Sequence, residues 1–305
     1  FGINWNKRPW IFEENSIKFN NPFINCRFLY LPSTGTYNIR QNVFQNLKLN
    51  EKGNTIYIET PSELLFENNE FENIIGNTKT HGLHLTINNL GERPFIGNKF
   101  KNITSADGFL YIKAEDTLDN ITFNKWTFQG VEQNGGGIIN VDNSNNQPYI
   151  LIFSECYFGG NSNTNGGCLL INEQTFPNCR GLNMNDCNGH LNTVTGKGSV
   201  IAAFFDGDIN LYNCHFNQNV AGEGAVIYVE PPSQAKGTCF LDGCHFNRNN
   251  GKESHCIWVN AIYFNDDYSL KMNNSVKIKL YSLLWLFILP FIYIQPATKT
   301  QTNVF

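Results

Sequence analysis

A short motif recurs along this chain at nearly constant spacing, and that recurrence constrains the fold more than any other feature. In it an apolar residue, a polar residue, a cysteine or aromatic residue and a further aromatic alternate. Aligned on the last aromatic, the copies fall at Phe44, Phe71, Phe100, Phe128, Phe158, a slot near Asn188, Phe216 and Phe246. Successive separations are 27, 29, 28, 30, 30, 28 and 30 residues, so the chain carries about eight imperfect copies of a unit of roughly 29 residues. The clearest copies are Asn25-Cys26-Arg27-Phe28, Glu155-Cys156-Tyr157-Phe158, Asn213-Cys214-His215-Phe216 and Gly243-Cys244-His245-Phe246. Period-two alternation points Cys and Phe one way and sends the residue between them to solvent.

A second apolar run follows each copy after a turn rich in Asn and Gly, and most of these runs open on Gly. Examples are Gly82 to Ile87, Gly108 to Ile112, Gly137 to Val141, Gly167 to Ile171 and Gly224 to Val229, with Ser199 and Cys256 opening two others. None has helical spacing, so a helix-covered parallel sheet is excluded, leaving a sandwich, a propeller or a β-helix. A propeller blade needs four strands in about 40 residues or more, whereas two or three short strands in about 29 residues fit one coil of a β-helix. The expected fold is therefore all-β, a right-handed parallel β-helix of about eight coils, with coils about 4.8 Å apart and Phe over Phe and Asn over Asn. Residues 1–40 are expected to form an N-terminal coil or cap, an incomplete one, and 41–270 the repeats.

Composition agrees. Aromatic residues make up 14% of the chain, 25 of them Phe, and only 16% is charged, which favours buried strands. Asn runs such as Asn143 to Asn146 suit corners, because Asn tolerates left-handed turns. A net charge of −4 without long blocks of one sign gives no nucleic-acid groove. The nine cysteines lack the paired spacing of a zinc module, and no motif calls for a cofactor. Three sequons, at Asn102, Asn120 and Asn273, are glycosylation candidates if the chain is secreted by a eukaryote.

Two elements of the repeat resemble a known family. Phe158 to Asn161, Phe216 to Asn219 and Phe246 to Asn249 form a Phe-x-x-Asn element; Phe71, Phe100 and Phe128 lack the Asn. Gly135-Gly136-Gly137-Ile138, Gly166-Gly167-Cys168-Leu169 and Gly222-Glu223-Gly224-Ala225-Val226 approximate a Gly-Gly-Ala-Ile element. Over roughly residues 40 to 265 the chain resembles the β-helix surface proteins related to the polymorphic membrane proteins, within the pectate-lyase-like β-helix superfamily. The resemblance implies a noncatalytic adhesin or binding scaffold, surface-exposed or secreted, whose partner is a host or cell-surface protein or a glycan. The alternative is a carbohydrate-active enzyme, a polysaccharide lyase or glycoside hydrolase.

Leu280 to Ile294 is uncharged and apolar over 15 residues, and residues 276–295 form a candidate transmembrane segment ahead of a polar tail at 296–305. Fifteen residues is short for a membrane helix, although Val276 and Ile278 extend it with Lys277 and Lys279 snorkelling. A terminal strand or helix capping the last coil and a mispredicted or frameshifted end are the competing readings. The lysines precede the segment, so the positive-inside rule would place the repeats in the cytoplasm, against surface display.

Candidate chemistry is sparse. Catalytic β-helices gather carboxylates on one exposed sheet; Asp206 and Asp208 share a face and are the weak candidates here. Asp186 with Asp242, and Asp266-Asp267, read as solvated surface. His215 and His245 occupy the same slot one repeat apart and are weak candidates for a metal. Cys156, Cys187, Cys214 and Cys244 fall in one inward ladder, with Cys168 and Cys256 in the second strand. They read first as buried thiols and alternatively as bridges between coils involving Cys179 or Cys239. Tyr157, Trp126 and Trp258 read as core or ladder residues, with sugar stacking as the alternative.

Overall fold

The computed structural model describes residues 10–18, 27–31, 35–49, 54–59, 63–76, 82–87, 95–105, 109–114, 120–135, 137–143, 148–164, 166–172, 176–230, 237–251, 257–260, 268–272, 277–279 and 292–295. These residues contain strands and no helix. Every strand pairing between coils is parallel, and the chain winds as a β-solenoid with three faces. Face A stacks ten strands, from Trp10–Glu13 to Tyr268–Met272. Face B runs beside it from Ser16–Lys18 to Lys277–Lys279. Face C consists of two five-stranded sheets, one from Arg27–Leu31 to Ile139–Asn143 and one from Leu169–Ile171 to Ile292–Gln295.

The anchors land in register on face B. Phe44, Phe71, Phe100, Phe128 and Phe158 form one column, with neighbouring ring centroids 4.9 to 5.3 Å apart. Each ring is buried, worth about 1.5–3 kcal/mol in apolar transfer. The slot near Asn188 belongs to Gly189, which pairs with Phe158 before it and Phe216 after it. A Cβ there would lie 2.8 Å from Val200 and 2.9 Å from Phe216, so these neighbours occupy the space of the missing ring. Ten strands exceed the about eight coils expected because Ile17 pairs with Phe44 and Ile278 with Phe246. Both ends of the column lack the Phe on which the repeat was aligned.

Two left-handed residues per coil bend the chain at fixed places. At the corner from face A to face B they include Gln41, Asn68, Gly97, Lys125, Glu155, Asp186 and Asn213, with φ between 52° and 66°. After the anchor they include Asn73, Asn102, Gly130, Gly160, Leu191, Gln218 and Arg248. Such corners interrupt the backbone ladder, and inward side chains satisfy the carbonyls left over. In the first four coils this is done by Asn15, Asn42, Asn69 and Asn98, where each Nδ2 donates to the next Oδ1 at 2.9 to 3.1 Å. Asn42 also donates to the Phe12 carbonyl at 2.7 Å, Asn69 to that of Ile39 and Asn98 to that of Phe66, both at 2.9 Å.

From the sixth coil Cys156, Cys187, Cys214 and Cys244 take over the same column, each preceding its face B strand as the Asn do. Their thiols reach the equivalent carbonyls of Phe123, Phe153, Met184 and Leu211 at 3.4 to 3.5 Å. Asn and Cys alternate here because both are small and carry one donor the corner needs. Buried Trp126 separates the two runs, and Asn98, with no amide above it, turns its second N–H to the Ile96 carbonyl at 3.3 Å.

A second amide ladder begins where the first has stopped. Asn161, Asn192, Asn219 and Asn249 stack on face B with Nδ2 to Oδ1 distances of 2.9 Å. Asn161, Asn219 and Asn249 are the Asn of the Phe-x-x-Asn element, and Asn192 stands at the same place after Gly189. Leu47, Ile74, Ile103 and Val131 hold this place earlier and are buried, so the copies without Asn are complete coils with an aliphatic rung.

The Gly that opens a face C run answers to close approach. A Cβ on Gly82 would strike the ring of Phe109, and one on Gly167 the carbonyl of Gly198. On the later face C sheet even the outward residues Leu170, Ala202 and Tyr228 are buried. Lys197 lies 4.3 Å over the Tyr228 ring, and Phe204 packs beside that ring at 5.8 Å.

Of Leu280 to Ile294, residues 280–291 lie outside the described residues. The flanking Lys277–Lys279 and Ile292–Gln295 are strands that pair with His245–Asn247 and Ile257–Asn260. Among the described residues no helix is long and apolar enough to cross a membrane.

Two stability outcomes follow from this packing. Asn192 makes every bond its amide allows, accepting from Asn161 N and Nδ2 and donating to Phe158 O and Asn219 Oδ1. Asn192→Leu should lower unfolding stability by about 2–4 kcal/mol in urea titration, against less than about 1 kcal/mol for Asn210→Ala, which loses only its half-buried bond to Asn183. Leu191 is left-handed (φ 55°) and 50% exposed, so Leu191→Gly should raise stability by about 0.5–1 kcal/mol, the relief at the backbone exceeding the added entropy of Gly.

Candidate functional site

With the interior filled by side chains, functional groups are confined to the outward positions of the three faces. Asp206 lies in the turn entering face A, and Asp208 opens the strand Asp208–Tyr212. The acids are engaged separately. Asp206 Oδ2 meets Arg180 Nη1 at 3.4 Å, and Asp208 Oδ1 accepts from the Thr238 backbone N–H at 2.7 Å. Both Asp206 and Arg180 are well exposed, so this ion pair contributes little to stability. The partnering Arg, which the sequence does not reveal at coil spacing, comes from the adjacent coil of the same face.

On face A beyond these acids, Tyr212 and Phe240 stand with ring centroids 5.7 Å apart and planes 56° apart. Tyr212 is 37% exposed. Asn183 and Asn210 pair at 2.9 Å in the outward column that Phe240 continues, and Tyr212, in the adjacent column, is in register with Asn185 and Asp242. The result is a flat outward strip of aromatic rings beside neutral amides, with the Arg180–Asp206 pair at its border. Sequence reading passed over Tyr212 and Phe240 because they lie one strand before the conspicuous Cys-His-Phe copies.

Outward on face B, His215 and His245 are paired in register. Their rings meet edge to face, with centroids 4.6 Å apart and planes at 81°. Asn188 precedes them in the column and Lys277 follows. Among the described residues no group of three or more His, Cys, Asp or Glu side chains is placed to hold a metal.

Outward on the first sheet of face C, Tyr30, Tyr57, His84 and Tyr111 form an aromatic column. The Tyr57 and His84 rings stack at 4.1 Å, and those of His84 and Tyr111 at 4.6 Å. The Tyr57 and His84 faces are spent on stacking, which stiffens the sheet, while Tyr30, tilted 53° from Tyr57 and 44% exposed, keeps ring surface at the end of the column.

Trp126 is fully buried and Tyr157 partly so, while the Trp258 side chain lies outside what is described. Of the sequons, Asn102 is exposed and donates to Asn73 Oδ1 at 3.1 Å. Asn120 is also exposed at the start of its strand, and Asn273 falls outside the described residues, as do Asp266 and Asp267. Asp186 is left-handed at its corner, and Asp242 ends a face A strand; the two lie in successive registers on either side of Tyr212 and Asn213.

Seven cysteines, including Cys179 and Cys239, are buried free thiols, the first of the two readings, and none of the seven forms a bridge between coils. The corner thiols reach backbone carbonyls, and each also lies within hydrogen-bonding reach of the next thiol in the column. Burial pushes the thiols of Cys168, Cys179 and Cys239 up to about 12, which removes the nucleophilic thiolate at neutral pH. Compared with protein-family models, curated proteins and solved structures, the chain gives no significant match.

The raised thiols set a pH window. Protonated in the folded chain to about 12 but from about 9 only in the unfolded one, they contribute stability that is fully present below pH 9 and is lost as pH rises toward 12. Urea midpoints should therefore fall between pH 8 and pH 10.5 by roughly the increment that linkage assigns to these groups. Cys168→Ala together with Cys239→Ala should flatten that fall.

Proposed function

We propose that this chain is a noncatalytic binding scaffold, displayed at a cell surface or secreted, of the kind represented by the polymorphic-membrane-protein-like β-helix proteins. The observation that carries the reading is the outward strip of face A. Tyr212 and Phe240 offer ring surface beside the Asn183–Asn210 amide pair, a combination suited to a glycan or to a polar protein surface, since aromatic rings cover apolar patches and neutral amides serve hydroxyls or peptide groups. The stack also resists deformation, so such a strip is held without an entropic penalty on binding. In this reading Asn102 and Asn120 are exposed acceptors for glycosylation.

A second reading, a polysaccharide lyase or glycoside hydrolase, draws on the Arg180–Asp206 pair and nearby Asp208 at the border of the same strip. Its two acids would have to leave their present partners to act together.

Both readings meet one experiment on the full chain. Binding to a glycan array and to cell surfaces is measured alongside release of reducing or unsaturated ends from acidic and neutral polysaccharides. The scaffold reading expects retention without turnover, with Tyr212→Ala plus Phe240→Ala weakening retention about tenfold or more at an unchanged unfolding midpoint. Turnover abolished by Asp206→Asn or Asp208→Asn would replace it with the enzyme reading, and binding indifferent to both aromatic substitutions would remove face A as the binding surface.

A further inference from the structure

The change from one ladder system to the other leaves a polar defect in the interior. Ser105, Gln133 and Asn163 stack in register at the corner leading out of face B, and all three are buried. Val194 follows in the same column, so the polar run ends there. Gln133 is only 4% exposed, and neither its Oε1 nor its Nε2 has a hydrogen-bond partner among the described residues. Both atoms belong to a residue lining a small cavity, together with Val131, Asn161, Asn163, Cys168 and Ser199.

We infer that this cavity holds one ordered water molecule, a hydration site built into the seam between the fifth and sixth coils. An amide stripped of solvent with nothing in exchange is disfavoured by more than an ordinary hydrogen bond returns, so an occupant that both donates and accepts is required. The cavity offers about 10 Å³, the room one water needs. Its lining supplies amides, the Ser162 and Ser199 hydroxyls and a thiol but no carboxylate, so a bare cation would enter without a counter-charge. Ser199 Oγ already donates to the Ala225 carbonyl and keeps lone pairs for an incoming donor. Asn161 has no spare donor, because its Nδ2 serves Phe128 O and Asn192 Oδ1. The water therefore bridges the Gln133 amide to the hydroxyl side of the cavity.

The seam explains the position. Val131 is the last aliphatic rung and Asn161 the first amide rung of their column. Between them neither ladder can saturate a neighbouring polar side chain, and solvent completes the set.

A high-resolution crystal structure of the full chain tests the site, with urea unfolding of Gln133→Leu as a second arm. The expected result is a density peak within about 3.2 Å of the Gln133 amide, absent from the variant, whose unfolding midpoint falls because the water's remaining partners lose their bond. An empty cavity in the wild-type crystal, or a Gln133 amide bonded to protein groups instead, overturns the inference. A raised midpoint for Gln133→Leu does the same, since it marks an amide that had nothing to lose. If the variant does not fold, the wild-type density decides alone.

Discussion

The stack depends on how each corner carbonyl between faces A and B finds a donor. A left-handed residue turns the chain there, and the carbonyl two positions earlier is left without a strand partner. Phe12, Ile39 and Phe66 receive theirs from Asn in the following coil, and Phe123, Phe153, Met184 and Leu211 from Cys. An unpaired buried carbonyl costs about as much as a lost hydrogen bond, and ten stacked coils repeat the demand. The requirement selects side chains by size and donor count, which makes Asn and Cys equivalent at this place although they differ in hydropathy.

That equivalence divides the solenoid. Earlier coils put amides at the corner and aliphatics within face B; later coils put thiols at the corner and amides within face B. Each arrangement keeps one amide ladder saturated along its own length, and Trp126 fills the volume where they exchange. The fifth and sixth coils are thereby the place where the interior is least uniform, and polar Gln133 is buried there. The second sheet of face C begins at the same level, so three features of the molecule change together.

The same tight filling governs function. Ligands reach only outward columns, whose character differs from face to face: self-stacked aromatics on the first part of face C, an edge-to-face imidazole pair on face B, and free ring surface with amides on face A. Burial keeps Cys168, Cys179 and Cys239 protonated and removes them from thiolate chemistry, although nine cysteines in one chain invite a reading in terms of bridges. In the proposed scaffold role, recognition is by a fixed relief, with specificity set by which side chains share a face.

The sequence by itself determined the coil. The near-constant spacing of Phe71, Phe100 and Phe128 and the alternation around them dictate a parallel stack, because equivalent residues must recur once per turn to bury one column. It also announced the second amide ladder through Asn161, Asn219 and Asn249. Only the tertiary structure decided the rest. The ladder of Asn15, Asn42, Asn69 and Asn98 is hidden in an Asn-rich chain, since identical residues at many corners do not say which point inward. Gly189 fills the vacant Phe slot because Val200, eleven positions on, supplies its volume. Arg180 meets Asp206, and Tyr212 meets Phe240, across 26 and 28 residues of chain. Registers between coils set these pairs, and a register is fixed by the sum of all stacked columns, a quantity no single segment carries.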